Sequence, residues 1–106
     1  MSLITVYRRP GGELTGFCAE GHARSKIVCS AVSALTQTSV NAMEAVAGVP
    51  TEPRLGDGLL EVLLPGGLTA KQASECQVIL RTVVQGLADI ARAHPAQVRI
   101  VYEERK

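Results

Sequence analysis

The chain has few aromatic residues, no block of like charges and no long apolar run. Tryptophan is absent, and only one phenylalanine and two tyrosines occur among the 106 residues. The core must therefore consist of valine, leucine, isoleucine and alanine. A chain of this length can bury such a core without disulfides or metals. The composition thus predicts a single domain over residues 1–106.

The balance of charge excludes several classes of partner. Eleven basic residues stand against ten acidic ones, which gives a net charge of +1. Because no basic face or stripe is evident, we expect neither direct nucleic-acid binding nor membrane association. No apolar stretch approaches the roughly 20 residues that span a bilayer. The order of apolar and basic residues before Arg9 is also the reverse of a secretory signal.

The three cysteines are too few and too irregularly spaced for a disulfide framework. An odd number of unpaired thiols favours a reducing compartment, and we expect a cytoplasmic protein.

Local patterns predict the element order β-β-α-β-β-α-β. β-Branched and apolar runs bounded by glycine or proline indicate strands, and Gly56-Asp57-Gly58 is a favourable hairpin turn. The strands are predicted at residues 3–8, 14–19, 59–64 and 98–102, with a short extended piece before the turn. Two hairpins and two helices predict an α+β domain in two layers, with the helices packed on a mixed or antiparallel sheet.

The first predicted helix begins at Ser25, a good N-cap residue, and runs to Ala47 before Gly48. Its polar residues form one narrow stripe, and the rest of the helix surface is apolar. We therefore expect a second helix or another subunit, in addition to the sheet, to cover this apolar surface. These stripe residues are Ser30, Ser33, Gln37, Asn41 and Glu44.

The second predicted helix begins at a capping box formed by Thr69 and Gln72 and ends at His94-Pro95. Its apolar residues recur in steps of three and four, which is typical of one buried face. These are Ala73, Cys76, Leu80, Val83, Leu87 and Ile90. Gly86 within this helix predicts a close approach to a neighbouring segment.

Cys29 and His22 form the one pattern with a clear chemical interpretation. Cys29 falls in the first turn of the predicted helix, where the helix dipole stabilises a thiolate, the nucleophilic form of cysteine. His22 lies seven positions upstream and reaches the thiol if residues 23–28 fold back. Free amides near residues 28–30 would then bind an oxyanion. The pattern indicates a thiol hydrolase that needs no metal and no organic cofactor.

Two other interpretations of these residues remain open. A free cysteine is commonly a buried packing residue, and Cys29 is compatible with that role. Cys18, His22 and Cys29 are also a conceivable metal-ligand set, although a Cys-x-x-Cys pair and a fourth ligand are lacking. Cys18 is assigned to packing or to the wall of the site. Asp57 and Glu61 have no partner that suggests acid–base chemistry.

Gly21-His22-Ala23, together with Ile27-Val28-Cys29-Ser30-Ala31-Val32-Ser33-Ala34-Leu35, resembles the ribosomal-processing cysteine protease family. The resemblance extends over most of the chain. It implies a cytoplasmic homodimer of α+β subunits that removes the N-terminal extension of a bacterial large-subunit ribosomal protein. By position, it implies Cys29 as the nucleophile and His22 as the base. The supporting or substrate-binding residues that it implies are Gly21, Ala23, Ser30 and Ser33.

Two features depart from the usual pattern of that family. Only Arg24-Ser25-Lys26 occupies the place of a longer, glycine-containing loop between the histidine and the cysteine. Lys26 also replaces the usual aspartate three residues before the cysteine. A lysine still favours the thiolate by its charge, but it cannot orient the imidazole, so we expect weakened catalysis. The alternative is a non-catalytic module that binds the ribosome or a ribosomal protein.

Overall fold

The computed structural model describes residues 1–105, in which two helices cover one face of a five-stranded sheet. Lys106 lies outside the described residues. The elements are β1 (Ser2–Arg8), β2 (Leu14–Glu20), α1 (Lys26–Ala45), β3 (Arg54–Gly56), β4 (Leu59–Leu63), α2 (Ala70–Ala93) and β5 (Val98–Glu104). The predicted element order and the α+β class are both confirmed.

The strand order in the sheet is β3-β4-β2-β1-β5. The β1–β2, β2–β4 and β3–β4 pairs are antiparallel, whereas β5 lies parallel to β1 at one edge. This mixed arrangement places the short strand β3 at the other edge. Its three residues are all exposed, and the functional groups considered below lie near this edge.

The two faces of the sheet differ in character because side chains alternate along each strand. One face carries Ile4, Val6, Phe17 and Val62, which are at most 1 % exposed and belong to the main hydrophobic cluster. Both helices contribute to the same cluster. The opposite face carries Thr5, Cys18, Glu61 and Arg54 in register across four strands.

Helix α1 begins where the sequence predicts and ends slightly earlier. Ser25 is the N-cap, and its side-chain oxygen accepts a hydrogen bond from the amide of Val28. The helix ends at Ala45 instead of Ala47, because the amides of Gly48 and Val49 already bond back to carbonyls of the last turn. The five residues of the predicted polar stripe are all exposed.

Helix α2 covers part of α1, as the sparse polar stripe of α1 predicts. Both hydrogen bonds of the Thr69–Gln72 capping box are present. Gly86 faces Leu35 so closely that an added Cβ would lie 2.9 Å from its Cδ1 atom. The predicted close approach at Gly86 is therefore confirmed. Within residues 1–105, neither helix is long and apolar enough to cross a bilayer.

Candidate active site

His22 lies two residues after the end of β2, and the backbone around it is tightly held. Gly21 has a φ of +83°, and a Cβ at this position would lie 2.3 Å from the carbonyl oxygen of Met1. A side chain is therefore excluded at Gly21. The Gly21 amide donates to the carbonyl of Gly58 at 2.8 Å, and Ala23 is buried in the core. His22 itself points outward between these two fixed neighbours, with 60 % of its side chain exposed.

Cys29 is the fourth residue of α1 and is partly buried. Side chains of a helix tilt towards its N-terminus, so the sulfur leans towards the positive end of the helix dipole. The link between His22 and the helix is also fixed, because the Ser25 amide donates to Oε1 of Gln97 at 2.7 Å. The short connection thus forms an ordered turn that presents the thiol beside the imidazole.

The structure brings the two predicted groups together. The Sγ atom of Cys29 lies 3.9 Å from Nδ1 of His22. This separation is within reach of a hydrogen bond to sulfur, and catalytic hydrogen bonds are often long without a substrate. The arrangement allows a proton to pass from the thiol to the imidazole with only a small movement of the ring.

The amides of residues 28–30 are not the free donors that the sequence suggests. The Cys29 amide donates to the carbonyl of Ser25, and the Val28 amide donates to the Ser25 side chain. Ser30 lies one residue further into the helix, where amides bond to the preceding turn. Within the part of the chain that the structure describes, the amides of Lys26 and Ile27 have no protein acceptor. The backbone amides that are free to bind an oxyanion are therefore those of Lys26 and Ile27, at the very start of α1.

A groove of about 270 Å³ opens beside the thiol, between α1 and the β3–β4 hairpin. Gly21, His22, Cys29 and Ser33 line it, together with Leu55 and other residues of the hairpin. Ser33 thus shares the groove with Cys29, one helical turn further on. Ser30 and Ala23 do not line it. Ser30 is exposed on another face of α1.

The other two cysteines lie away from the groove. Cys18 is on the opposite face of the sheet, near Tyr7 and Glu61, so it packs there and does not form a wall of the site. Burial raises the pKa of the Cys18 thiol, with smaller contributions from Glu20 and Glu61. Cys76 is fully buried in α2, and burial raises the pKa of its thiol as well. Among residues 1–105, no cluster of three or more potential ligands is arranged to bind a metal.

The sequence suggests no acid–base partner for Asp57 or Glu61, but the structure places Asp57 beside His22. Asp57 lies at the β3–β4 turn, and its Oδ1 atom is 3.4 Å from Nε2 of His22. Glu61 accepts hydrogen bonds from Tyr7 and Arg54 on the far face of the sheet. Local sequence patterns do not indicate this pair, because the turn is remote from His22 along the chain. The pairing of β2 with β4 places Glu20 opposite Leu59, and this register brings the turn that carries Asp57 to His22.

Comparison with known families identifies the chain. The family model described as cysteine protease Prp matches residues 1–99. The chain belongs to the cysteine protease Prp family. Among curated proteins, no sequence matches it.

Solved structures of Prp proteins share the fold. The ribosomal processing protease Prp from S. aureus, in complex with a covalently linked product peptide, is 25% identical with a TM-score of 0.84. That match covers 97% of this chain and 100% of the S. aureus chain. A Streptococcus mutans protein is 28% identical with the same TM-score, over 99% of this chain and 96% of its own. The resemblance inferred from the glycine-histidine and cysteine segments is therefore confirmed at the level of the family.

Proposed function

We propose that residues 1–106 form one catalytic domain, a cysteine endopeptidase in which Cys29 is the nucleophile and His22 the general base and acid. The observation that supports this most directly is the 3.9 Å separation between Sγ and Nδ1. The family supplies the reaction class. Cys29 also lies in the first turn of α1, near the positive end of the helix dipole.

The reaction proceeds by acyl transfer. His22 takes the thiol proton on Nδ1 while Sγ of Cys29 attacks the peptide carbonyl carbon. When the C–N bond breaks, the imidazolium returns that proton to the departing amine, which leaves a thioester. Water then attacks the thioester with His22 as base. The products are a free carboxyl group and the regenerated thiol, so no cofactor is consumed.

The negative oxygen formed during attack requires donors that are fixed in advance. The amides of Lys26 and Ile27 meet this requirement, since they lie in the first turn of α1 and have no acceptor among the described residues. They take the role that the sequence suggested for residues 28–30.

An extended peptide fits the groove beside the thiol. Strand β3 is an edge strand, paired on one side only with β4, and Leu55 and Gly56 line the groove. Unpaired backbone groups on such an edge bind extended segments by adding a strand. We place the substrate along β3, with its scissile bond at the end of the groove that holds Cys29.

The substrate is an N-terminal extension of a bacterial large-subunit ribosomal protein. The family and the name of the S. aureus relative, a ribosomal processing protease, support this assignment. Such a substrate places the enzyme in the cytoplasm, where ribosomes are assembled. No RNA contact is required, because the net charge of the chain is only +1.

We also propose that the enzyme is a homodimer. Ile27 and Val46, at opposite ends of α1, are 82 % and 66 % exposed. We propose that a second copy of the chain buries these apolar side chains. A stable monomer in sedimentation experiments would remove this part of the proposal.

Incubation with the precursor ribosomal protein, read by intact-mass spectrometry, tests the function. We expect one cleavage near the N-terminus of the precursor with the wild-type chain and none with Cys29→Ala. Because alanine is smaller than cysteine and residue 29 is only partly buried, Cys29→Ala is expected to keep the circular dichroism spectrum of the wild type. Cleavage by Cys29→Ala, or loss of its folded spectrum, would contradict the catalytic role.

A non-catalytic binding module would behave differently in the same experiment. It would bind the precursor or the ribosome without changing the mass of either. The substitution of aspartate by Lys26 favours this alternative on sequence grounds. The short distance between thiol and imidazole favours the enzyme.

A further inference from the structure

We infer that Asp57 is a positioning residue for His22, supplied by the β3–β4 hairpin instead of the link that precedes the cysteine. The inference rests on the proposed roles of Cys29 and His22. Its geometric basis is that the two nitrogens of the His22 ring face different partners. Nδ1 faces Sγ of Cys29 at 3.9 Å, and Nε2 faces Oδ1 of Asp57 at 3.4 Å.

The hairpin turn is fastened to the segment that carries His22. The carbonyl of Gly58 accepts a 2.8 Å hydrogen bond from the amide of Gly21. Asp57 and His22 are each adjacent to one end of this bond, so the main chain itself holds their side chains near each other.

Gly58 also makes room for the imidazole. It has a φ of +62°, and an added Cβ would lie 2.8 Å from Nε2 of His22. The ring therefore packs directly against the backbone of the turn. Any larger residue would move the ring away from both Asp57 and Cys29.

The carboxylate has two effects on the reaction. Its negative charge, 3.4 Å from Nε2, favours the tautomer that carries its proton on Nε2 and whose lone pair on Nδ1 faces the thiol. It also stabilises the imidazolium that forms when the thiol loses its proton. The proton passes from Cys29 to His22 and from there to the departing amine, and Asp57 takes no part in the transfer.

The exposure of the pair limits the size of this effect. The Asp57 side chain is fully exposed and that of His22 is 60 % exposed, so water screens their attraction. A buried carboxylate in such an arrangement contributes about 10⁴-fold to kcat. We expect a much smaller factor here, about two- to fivefold, since exposed pairs are weak.

Asp57→Asn tests the inference, with Asp89→Asn as its matched control. Asp89 is another exposed aspartate paired with a basic side chain, Arg92, but it lies on α2 away from the groove. For Asp57→Asn we expect kcat on the precursor to fall about two- to fivefold with KM unchanged, and the unfolding midpoint to stay at the wild-type value. Asp57→Glu is expected to recover part of the rate. Asp89→Asn is expected to match the wild type.

A second measurement needs no substrate. Iodoacetamide alkylation of Cys29, followed by peptide mass mapping, reports the thiolate directly. Asp57→Asn is expected to slow alkylation several-fold at about pH 6, where an ordinary thiol is mostly protonated, and not at about pH 10, above the usual pKa of a cysteine thiol. Asp89→Asn is expected to change neither rate.

The outcomes separate this inference from the proposed function. Equal effects of the two aspartate substitutions, or an unchanged alkylation rate in Asp57→Asn, would overturn the role of Asp57 even if the wild type cleaves the precursor. If the wild type does not cleave, the proposed function fails. The alkylation comparison still decides whether Asp57 acts on the His22–Cys29 pair.

Discussion

The phenol of Tyr7 reaches across β2 to donate a 2.6 Å hydrogen bond to Oε2 of Glu61 on β4. Tyr7 is buried, and only 16 % of the Glu61 side chain is exposed. Arg54 binds the other oxygen of the same carboxylate, and the Arg105 guanidinium stacks on the Tyr7 ring at 3.8 Å. This network links β1, β3, β4 and the residue that follows β5, on the face of the sheet that the helices leave uncovered.

The network predicts a stability that depends on pH through Glu61. The Tyr7 hydrogen bond holds the pKa of Glu61 below its usual value. Burial opposes this, and Arg54 and Arg105 add smaller contributions that lower the pKa. A carboxyl whose pKa is lowered on folding contributes stability above its unfolded pKa of about 4.3 and loses it as pH falls through the folded value. Glu61→Gln is therefore expected to cost about 1–3 kcal/mol at pH 7 and much less in strong acid.

Urea unfolding at neutral and acid pH measures this difference. Tyr7→Phe tests the same hydrogen bond from the donor side, because it removes the hydroxyl and keeps the aromatic ring. If Glu61→Gln lost equal stability at both pH values, the ionised carboxylate would not be the stabilising species.

His22→Ala is expected to lower kcat by about 10²–10⁴-fold, the usual contribution of a general base. Because His22 is largely exposed, the folded structure is expected to persist in thermal unfolding. His94→Ala is the matched control, since His94 caps the end of α2, away from the groove. Unchanged turnover in His22→Ala would exclude the proposed dyad.

The burial of the three cysteines predicts how readily each thiol reacts with an alkylating reagent. Burial raises the pKa of both Cys18 and Cys76, so both remain protonated and inaccessible at neutral pH. Cys29 is partly exposed at the groove. We expect peptide mapping after brief alkylation at about pH 7 to find the label on Cys29 almost alone. Equal labelling of all three cysteines would count against an activated thiol.

Gly58→Ala is expected to lower activity by displacing the His22 ring, which an added Cβ would approach within 2.8 Å. Gly67→Ala is a close control. Gly67 also has a positive φ, +74°, but a Cβ there meets nothing within 4 Å. Both substitutions carry a similar backbone cost of roughly 1 kcal/mol, visible in thermal unfolding. Only Gly58→Ala is expected to reduce kcat, and equal activity of the two variants would contradict the proposed packing of the ring.

Much of the fold follows from local patterns in the sequence. The Ser25 cap, the Thr69–Gln72 capping box and the Gly56-Asp57-Gly58 turn each depend on side chains a few residues apart, and all three are present. The apolar stripe of α2 also agrees with its buried residues, which include Leu80 and Leu87. Local chemistry determines where each element begins and which face it buries.

The strand order and the contact with Asp57 could not be predicted in the same way. They depend on long-range pairing, such as β5 parallel to β1 and β4 beside β2, for which short-range patterns carry no signal. The pair of His22 and Cys29 was predictable because both lie on one short stretch of chain. Asp57 approaches them only after β4 has paired with β2.

His22 and Cys29 are seven positions apart and are joined by a turn that Gln97 anchors, whereas Asp57 belongs to the hairpin at the edge of the sheet. A substrate that pairs with β3, as proposed above, is expected to stiffen this hairpin and to hold the Asp57 carboxylate against the His22 ring. Contacts far from the scissile bond then lower the barrier as well as the dissociation constant. Short peptides that contain only the residues around the cut would therefore be turned over slowly even at saturating concentration.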